Sequence, residues 1–305
     1  MTELLPSVHL LILGAGWTAT FLIPLLQQRG IAFAATTTTG RTVAGVPTIP
    51  FKFDPNAPDE EITSAIGALP RARYILITFP MKGEGQSRTL VEHYLQTHPP
   101  QRGLPKARFV QLGSTGIWGQ GGSTVSRSGE GKKGWGWITR HSAFDRANPR
   151  AVAEDELLLL GGCVLNLAGL WGGERHPKRW VVRVAGSKEA VRGKTSLHLI
   201  HGVDVARAIL AVVDVDDEKW EKHGRGQRWL VSDGVVYDWW ELLVEWAEEG
   251  QEEGKVSEQA RWVWELMGEM GVLGLPREKE VLGRCLSSEE FWRTWGLVPL
   301  KARVK

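Results

Sequence analysis

Leu11-Ile12-Leu13-Gly14-Ala15-Gly16-Trp17-Thr18-Ala19 sets an apolar run directly against two glycines and a small residue. The run is the end of a short strand over Val8–Leu13, and Thr18–Gln28 continues with helical character. The spacing fits G-x-G-x-x-A at a strand-to-helix turn. Gly14 permits the tight turn, Gly16 lets backbone approach a pyrophosphate, and Ala19 is small enough for close helix–strand packing. The opening helix, with Trp17 and Thr18 in its first turn, presents unpaired N–H groups and the positive end of its dipole to phosphate. Gly14, Gly16, Trp17 and Thr18 are therefore candidate dinucleotide-binding positions. The competing reading is an ordinary strand–turn–helix, which the order of elements downstream argues against.

That order alternates. Ile31–Thr36, Thr48–Phe53, Tyr74–Thr78, Arg108–Leu112 and Cys163–Leu167 read as further strands, and Ser87–Gln96 and Ala147–Leu160 as helices between them. Short continuous apolar strands separated by helices imply βαβ units and a parallel sheet covered on both faces. The expected fold is α/β, a Rossmann-type doubly wound parallel sheet over residues 1–170, with a smaller α+β C-terminal lobe over 171–305 on the substrate side, interleaving between the two left open. In the second segment, Ser196–Ile200 and Arg228–Ser232 read as strands and Val203–Val213 and Tyr237–Glu248 as helices. Tryptophans 239, 240, 246, 262 and 264 fall among the later helices and are read as packing them together, with a substrate-cleft lining as the alternative.

The second strand bears on which dinucleotide. A site preferring NAD places Asp or Glu there to hold the ribose 2′-hydroxyl. Between Leu4 and Phe53 the sequence has no acidic residue; the strand runs Ala34-Ala35-Thr36-Thr37-Thr38-Thr39-Gly40-Arg41. With no carboxylate to repel a 2′-phosphate, and Thr37 and Arg41 available to bind it, NADP(H) is expected ahead of NAD(H). Arg41 as a solvated loop residue remains the alternative. Asp54, after the third strand, is a candidate acceptor for the adenine amino group or else a turn-forming Asp-Pro. Thr78 and Pro80 end the fourth strand where the cofactor would lie.

Composition limits the rest. An apolar fraction of 42%, a charged fraction of 24% and a net charge of +2 are those of an ordinary globular protein, and point to neither nucleic acid nor an acidic tail. Leu4–Leu26 is apolar, but Gly14, Gly16 and Pro24 interrupt it and no basic segment precedes it. No membrane partner is expected, and a cytoplasmic location is. Cys163 and Cys285 lack metal-ligand spacing and are too few for a disulfide framework, so no metal site is expected.

Three further stretches carry a resemblance: Gln111-Leu112-Gly113-Ser114-Thr115-Gly116-Ile117-Trp118-Gly119, Val164-Leu165-Asn166-Leu167-Ala168-Gly169-Leu170-Trp171-Gly172, and Leu199-Ile200-His201-Gly202-Val203-Asp204-Val205-Ala206. With the N-terminal turn, their order and spacing resemble the extended short-chain dehydrogenase/reductase family, in its NAD-dependent epimerase/dehydratase branch. The resemblance implies that Ser114 hydrogen-bonds the reacting carbonyl or hydroxyl. It also implies a Tyr-x-x-x-Lys pair on the next helix, the lysine lowering the tyrosine pKa and holding the nicotinamide ribose. Here the pair is absent: Arg146 stands at the tyrosine position and Arg150 at the lysine position, where a guanidinium can hold a ribose hydroxyl but is a poor proton shuttle. The chain thus resembles the atypical, tyrosine-deficient members. Ser114 and Arg150 are the candidate catalytic residues; a hydroxyl that only satisfies backbone groups is the alternative for Ser114. His141, Asp145 and His201 are candidate substitutes for the missing acid–base, with His201 and Asp204 otherwise read as capping and packing the helix they begin. Gly113–Gly136 holds nine glycines in 24 residues and is read as a lid or a surface loop. Arg175 and His176 are read as a solvated pair or as ligands of a substrate anion.

The function expected is an NADP(H)-dependent reductase or epimerase-like enzyme on a small polar carbonyl or hydroxyl compound. The alternative is a non-catalytic NADP(H)-binding sensor. A small-molecule substrate is the expected partner, and a homodimer is left open.

Overall fold

The computed structural model describes residues 7–100, 106–119, 136–247 and 257–304. Five strands come from the first part of the chain: β1 (Val8–Leu13), β2 (Phe33–Thr37), β3 (Ile49–Pro50), β4 (Ala72–Ile77) and β5 (Arg108–Ser114). Cys163–Leu167 and Arg228–Val231 complete a seven-stranded sheet of spatial order β3-β2-β1-β4-β5, then Cys163–Leu167, then Arg228–Val231. Every neighbouring pair is parallel. The order reverses between β1 and β4, so the crevice of this doubly wound sheet opens beyond the carboxyl ends of those two strands.

Alternation along the strands divides the apolar residues between two cores. On β1 and β4, Leu10, Ile12, Tyr74 and Leu76 enter one core, and Leu11, Leu13, Ile75 and Ile77 the other. Helix α1 (Trp17–Gln28) and the helix Gly202–Val213 cover the first face. Helices α2 (Asp59–Gly67), α3 (Gln86–Thr97) and α4 (Pro149–Leu159) cover the second. Both faces are thus dry, which is why the strands read as unbroken apolar runs.

Chain position and sheet membership cross. The strand Arg228–Val231 lies beyond residue 171 yet joins the main sheet, and Trp220, Trp229 and Trp295 enter the core over α1. What remains is a layer of short elements at the carboxyl edge. Gly169–Trp171 pairs with Leu199–His201, Ser196–Leu197 with Tyr237–Asp238, and Trp137–Ile138 with Cys285–Leu286. The helices Trp239–Glu245 and Glu258–Met270 pack beside them.

Several elements differ from the sequence reading. Residues Asp59–Gly67 form a helix that the reading did not anticipate, with Asp59, Glu60 and Glu61 on its positive end and Ile62 and Ile66 buried one turn apart. Tyr237–Asp238 is a strand, and the helix starts only at Trp239, where Asp238 caps it. Tryptophans 239, 240 and 246 are buried as expected and Trp262 packs beside them, but Trp264 is 57% exposed. The run Glu248–Glu253 lies outside the described residues. Among the described residues no helix is long and apolar enough to cross a membrane.

Candidate active site

The turn after β1 is held from both sides. Gly14 has φ +89°, a backbone that disfavours side chains, and a Cβ there would come within 2.8 Å of Thr78 Oγ1. Its N–H donates to Thr36 Oγ1 at 3.0 Å, and Ala15 N–H donates to the Thr36 carbonyl at 2.6 Å. From β4's end, the Thr78 hydroxyl donates to the carbonyls of Leu13, at 3.0 Å, and Gly14. Strand alternation decides which threonine does this work. Thr36 faces the turn, whereas the Thr37 hydroxyl bonds that of Thr48 at 2.8 Å and accepts from Arg41 N–H at 3.1 Å. Thr37 thereby fixes the loop carrying Arg41 and has its hydroxyl engaged there.

Helix α1 begins at Trp17 with Gly16 as its N-cap and no side-chain cap, so its first N–H groups stay available. A Cβ on Gly16 would meet only the Gly14 carbonyl oxygen, at 3.9 Å, which leaves open space over the helix end. Trp17 stands at the rim: its indole N–H donates to the Gly172 carbonyl at 3.0 Å, and the Arg175 guanidinium lies over its ring at 4.7 Å. Arg175 is exposed and without an ion pair among the described residues, which places a cation at the mouth of the turn. His176 instead caps the short turn Pro177–Trp180, its Nδ1 accepting from Lys178 N–H.

Beside the turn lies a cavity of about 270 Å³ lined by Gly14, Thr38, Phe51, Lys52, Phe53 and Phe79. Phe53 and Phe79 stack with ring centroids 6.2 Å apart and form an apolar wall. Lys52 was not singled out in the sequence, yet it is the cation that lines this cavity. Arg41 is exposed on the neighbouring loop, with no ion pair among the described residues. Asp54 is also exposed and accepts from Asn56 N–H at 3.0 Å, an Asx turn, while lining an adjoining smaller cavity. Pro80 is exposed past the end of β4.

Ser114 ends β5 at the same carboxyl edge. Its hydroxyl oxygen accepts from Gly116 N–H at 3.1 Å, which leaves the hydroxyl proton to be donated elsewhere. Beneath it lies a buried polar lock. Glu154, with no exposed surface, accepts from Asn166 Nδ2 at 2.9 Å, from Arg228 at 3.2 Å and from the Ser114 N–H. Asn166 Nδ2 also donates to the Ser114 carbonyl at 3.1 Å. Burial raises the Glu154 pKa, and the bonds from Asn166 and Arg228 oppose that rise. Gly113 is a consequence of this lock: a Cβ there would stand 2.5 Å from Asn166 Nδ2 and closer still to Glu154 Oε1.

The acid–base candidates are distributed as follows. Arg150 is half-buried in the first turn of α4, its backbone N–H capped by Asn148, at the edge shared with Ser114. Arg146 is exposed and lies over Phe144. His141 pairs with Glu290 at 3.0 Å, and Asp145 accepts from Ala147 N–H. His201 caps the helix Gly202–Val213 through Val203 N–H and sits between the rings of Phe21 and Trp171. Asp204, in the first turn of that helix, is wholly buried and receives Leu300 N–H, Lys301 N–H and Arg207, tying down the C-terminal segment. The three tyrosines are all buried, with hydroxyls bonded to Arg108, to Pro70 and Ala72, and to Asp233. No phenol bonds Ser114. The segment 113–136, read as a lid or a surface loop, lies for the most part outside the described residues.

No protein-family model matches the sequence, and no functionally curated protein matches it by sequence. Solved structures match in fold. A functionally unknown conserved protein of Silicibacter pomeroyi aligns with a TM-score of 0.60 at 16% identity, covering 97% of this chain and 95% of that one. The UDP-glucose 4-epimerase of Thermus thermophilus in complex with NAD gives 0.54 at 14%, covering 97% and 95%. RMD of Pseudomonas aeruginosa, complexed with NADPH, gives 0.53 at 13%, covering 97% and 93%.

Proposed function

We propose that this chain is an NADP(H)-binding enzyme of the atypical extended short-chain dehydrogenase/reductase kind, acting as an oxidoreductase or epimerase-like catalyst on a small polar carbonyl or hydroxyl compound. The observation that carries the reading is the turn Gly14–Thr18 at the point where the sheet order reverses, with an uncapped helix end facing open space. Cofactor choice rests on the flanks of that turn. No carboxylate stands on β2, and Lys52 and Arg41 supply positive charge beside the cavity. The Thermus and Pseudomonas proteins hold NAD and NADPH respectively, so the architecture accommodates either dinucleotide.

A bound nicotinamide dinucleotide supplies or accepts hydride. The chain's own share is to hold the phosphates on the α1 N-terminus, to receive the 2′-phosphate with Lys52 and Arg41, and to polarise a substrate oxygen through the Ser114 hydroxyl. The lock of Glu154 and Asn166 fixes Ser114 by its backbone on both sides, so that hydroxyl is preorganised. Arg150 holds a ribose hydroxyl.

Titration of the protein with NADPH and NADH tests the first part. NADPH is expected to bind at least tenfold more tightly, and K52A and R41A each to narrow that ratio; an unchanged ratio in both variants removes the account of cofactor choice. A second reading, a non-catalytic NADP(H) sensor, is favoured by the engagement of all three tyrosines away from Ser114. It predicts that S114A leaves every measured turnover unchanged while NADPH still raises the melting temperature.

A further inference from the structure

Three guanidiniums drawn out of solvent in this chain each face a carboxylate. Arg277 meets Asp238 at 2.6 Å, Arg228 meets Glu154 at 3.2 Å, and Arg140 meets Glu290 at 2.8 Å. That is the ordinary requirement for a cation moved into a low dielectric. Arg284 departs from it. The residue is half-buried just before the strand Cys285–Leu286, and it makes no ion pair among the described residues. Among the described residues its side chain makes one hydrogen bond, Nη2 donating to the Thr115 carbonyl at 2.6 Å, which seats the guanidinium against the residue following Ser114. Its Nε is buried and has no acceptor.

A second unmet donor accompanies it. His198 is buried, and its Nε2 accepts from Leu286 N–H at 3.0 Å, so the ring proton resides on Nδ1. Nδ1 is also buried without a partner. His198 brings no countercharge: burial and the Arg284 cation hold its pKa down at about 3, so it stays neutral.

We propose that Arg284, with His198 Nδ1–H beside it, is the seat of an oxyanion carried by the substrate, a carboxylate or a phosphate docked next to Ser114. This deepens the enzyme reading above and rests on it for the role of Ser114. The Nε–H and a terminal N–H form a planar fork that grips two oxygens of such a group side by side. Binding would supply the negative charge and the acceptors that both side chains lack. The site is assembled only by the fold, since it needs the strand Cys285–Leu286 lying against Trp137–Ile138 and brought up to Thr115 at the end of β5.

The test uses the full-length protein, with and without saturating NADPH, titrated with inorganic phosphate and with acetate against chloride at equal ionic strength. One oxyanion is expected to raise the melting temperature saturably above the chloride control, and the larger response identifies phosphate or carboxylate as the group. R284M should lose that response at least tenfold in affinity while its NADPH affinity stays within twofold of wild type. Its melting temperature without anion should not fall, because an uncompensated cation has been removed. R284K, which keeps the charge but not the fork, should fold normally and bind the oxyanion several-fold more weakly. The proposal is overturned if neither oxyanion exceeds chloride, or if R284K binds the responding oxyanion as wild type does. Failure of wild type to bind NADPH is a separate result that removes the cofactor reading instead.

Discussion

Replacing Gly113 by alanine adds one methyl group where the structure has no room for it. Gly113 has an ordinary φ, so the effect is one of space alone. The new Cβ would lie 2.5 Å from Asn166 Nδ2, and nearer to Glu154 Oε1, whereas carbon and a polar heavy atom rest about 3.5 Å apart. Neither neighbour is a flexible end. Glu154 and Asn166 have no exposed surface, and they are bonded to each other, to Arg228 and to both backbone groups of Ser114. Overpacking alone costs about 1–3 kcal/mol. If the Glu154 carboxylate is pushed off Asn166, the loss approaches the roughly 3–5 kcal/mol of a broken buried pair. Reduced freedom of the unfolded chain returns about 0.4–1 kcal/mol. The expected net loss is about 3 kcal/mol, or roughly 6 °C in melting temperature for a chain of this size.

Urea unfolding followed by tryptophan fluorescence suits the measurement, because tryptophans sit in both the sheet core and the C-terminal helices. Gly268 provides the control. It lies exposed inside the helix Glu258–Met270, a Cβ there meets nothing within 4 Å, and G268A should therefore gain about 0.5–1 kcal/mol. In an E154A/N166A background both obstructing side chains are gone, and G113A should cost under about 1 kcal/mol, a strong departure from additivity. If G113A is as stable as wild type, or costs the same in both backgrounds, the lock beneath Ser114 is not what excludes a side chain at 113.

Three further outcomes follow from single contacts. Burial raises the Asp233 pKa from 3.8 to about 6, so the folded state holds this proton more tightly than the unfolded chain. Its contribution to stability is then complete below about pH 4 and is lost as pH rises to about 6, a swing of about 3 kcal/mol. The stability difference between wild type and D233N should change by that order between pH 4 and 7 with wild type losing ground, and a flat difference refutes the assignment. T36V removes the acceptor of Gly14 N–H, and NADPH should bind about five- to tenfold more weakly by calorimetry, since one such bond is worth about 1 kcal/mol. W17F deletes the indole donor to Gly172 O, and amides of residues 173–175 should exchange hydrogen faster while β1 amides do not.

Features set by neighbouring residues were readable before the structure. The turn at Gly14 needs only a strand, two glycines and a helix start, all within twelve residues, and the parallel sheet follows from apolar runs punctuated by helices. Two local signals were present but passed over. Acidic residues 59–61 ahead of Ile62 and Ile66 mark a helix, and strand alternation puts Thr36 at the turn and Thr37 on the Arg41 loop. Lys52 needed the third strand's end to be placed beside Gly14, which no spacing along the chain expresses.

The surroundings of Ser114, the proposed substrate end, are harder to read for a physical reason. Glu154, Asn166 and Arg228 converge under Ser114 from three separate elements, and Arg284 reaches Thr115 from 169 positions away. A helix N-terminus recognises phosphate through backbone groups that one motif creates, so a few residues suffice to write it. Recognition of a particular substrate uses side chains whose charges must be matched after folding, and only the assembled structure reveals which of them are left unmatched. Arg284 and His198 stand out beside Ser114 by that measure: each keeps a buried nitrogen with no acceptor, and Arg284 meets no carboxylate of the kind that Arg140, Arg228 and Arg277 face.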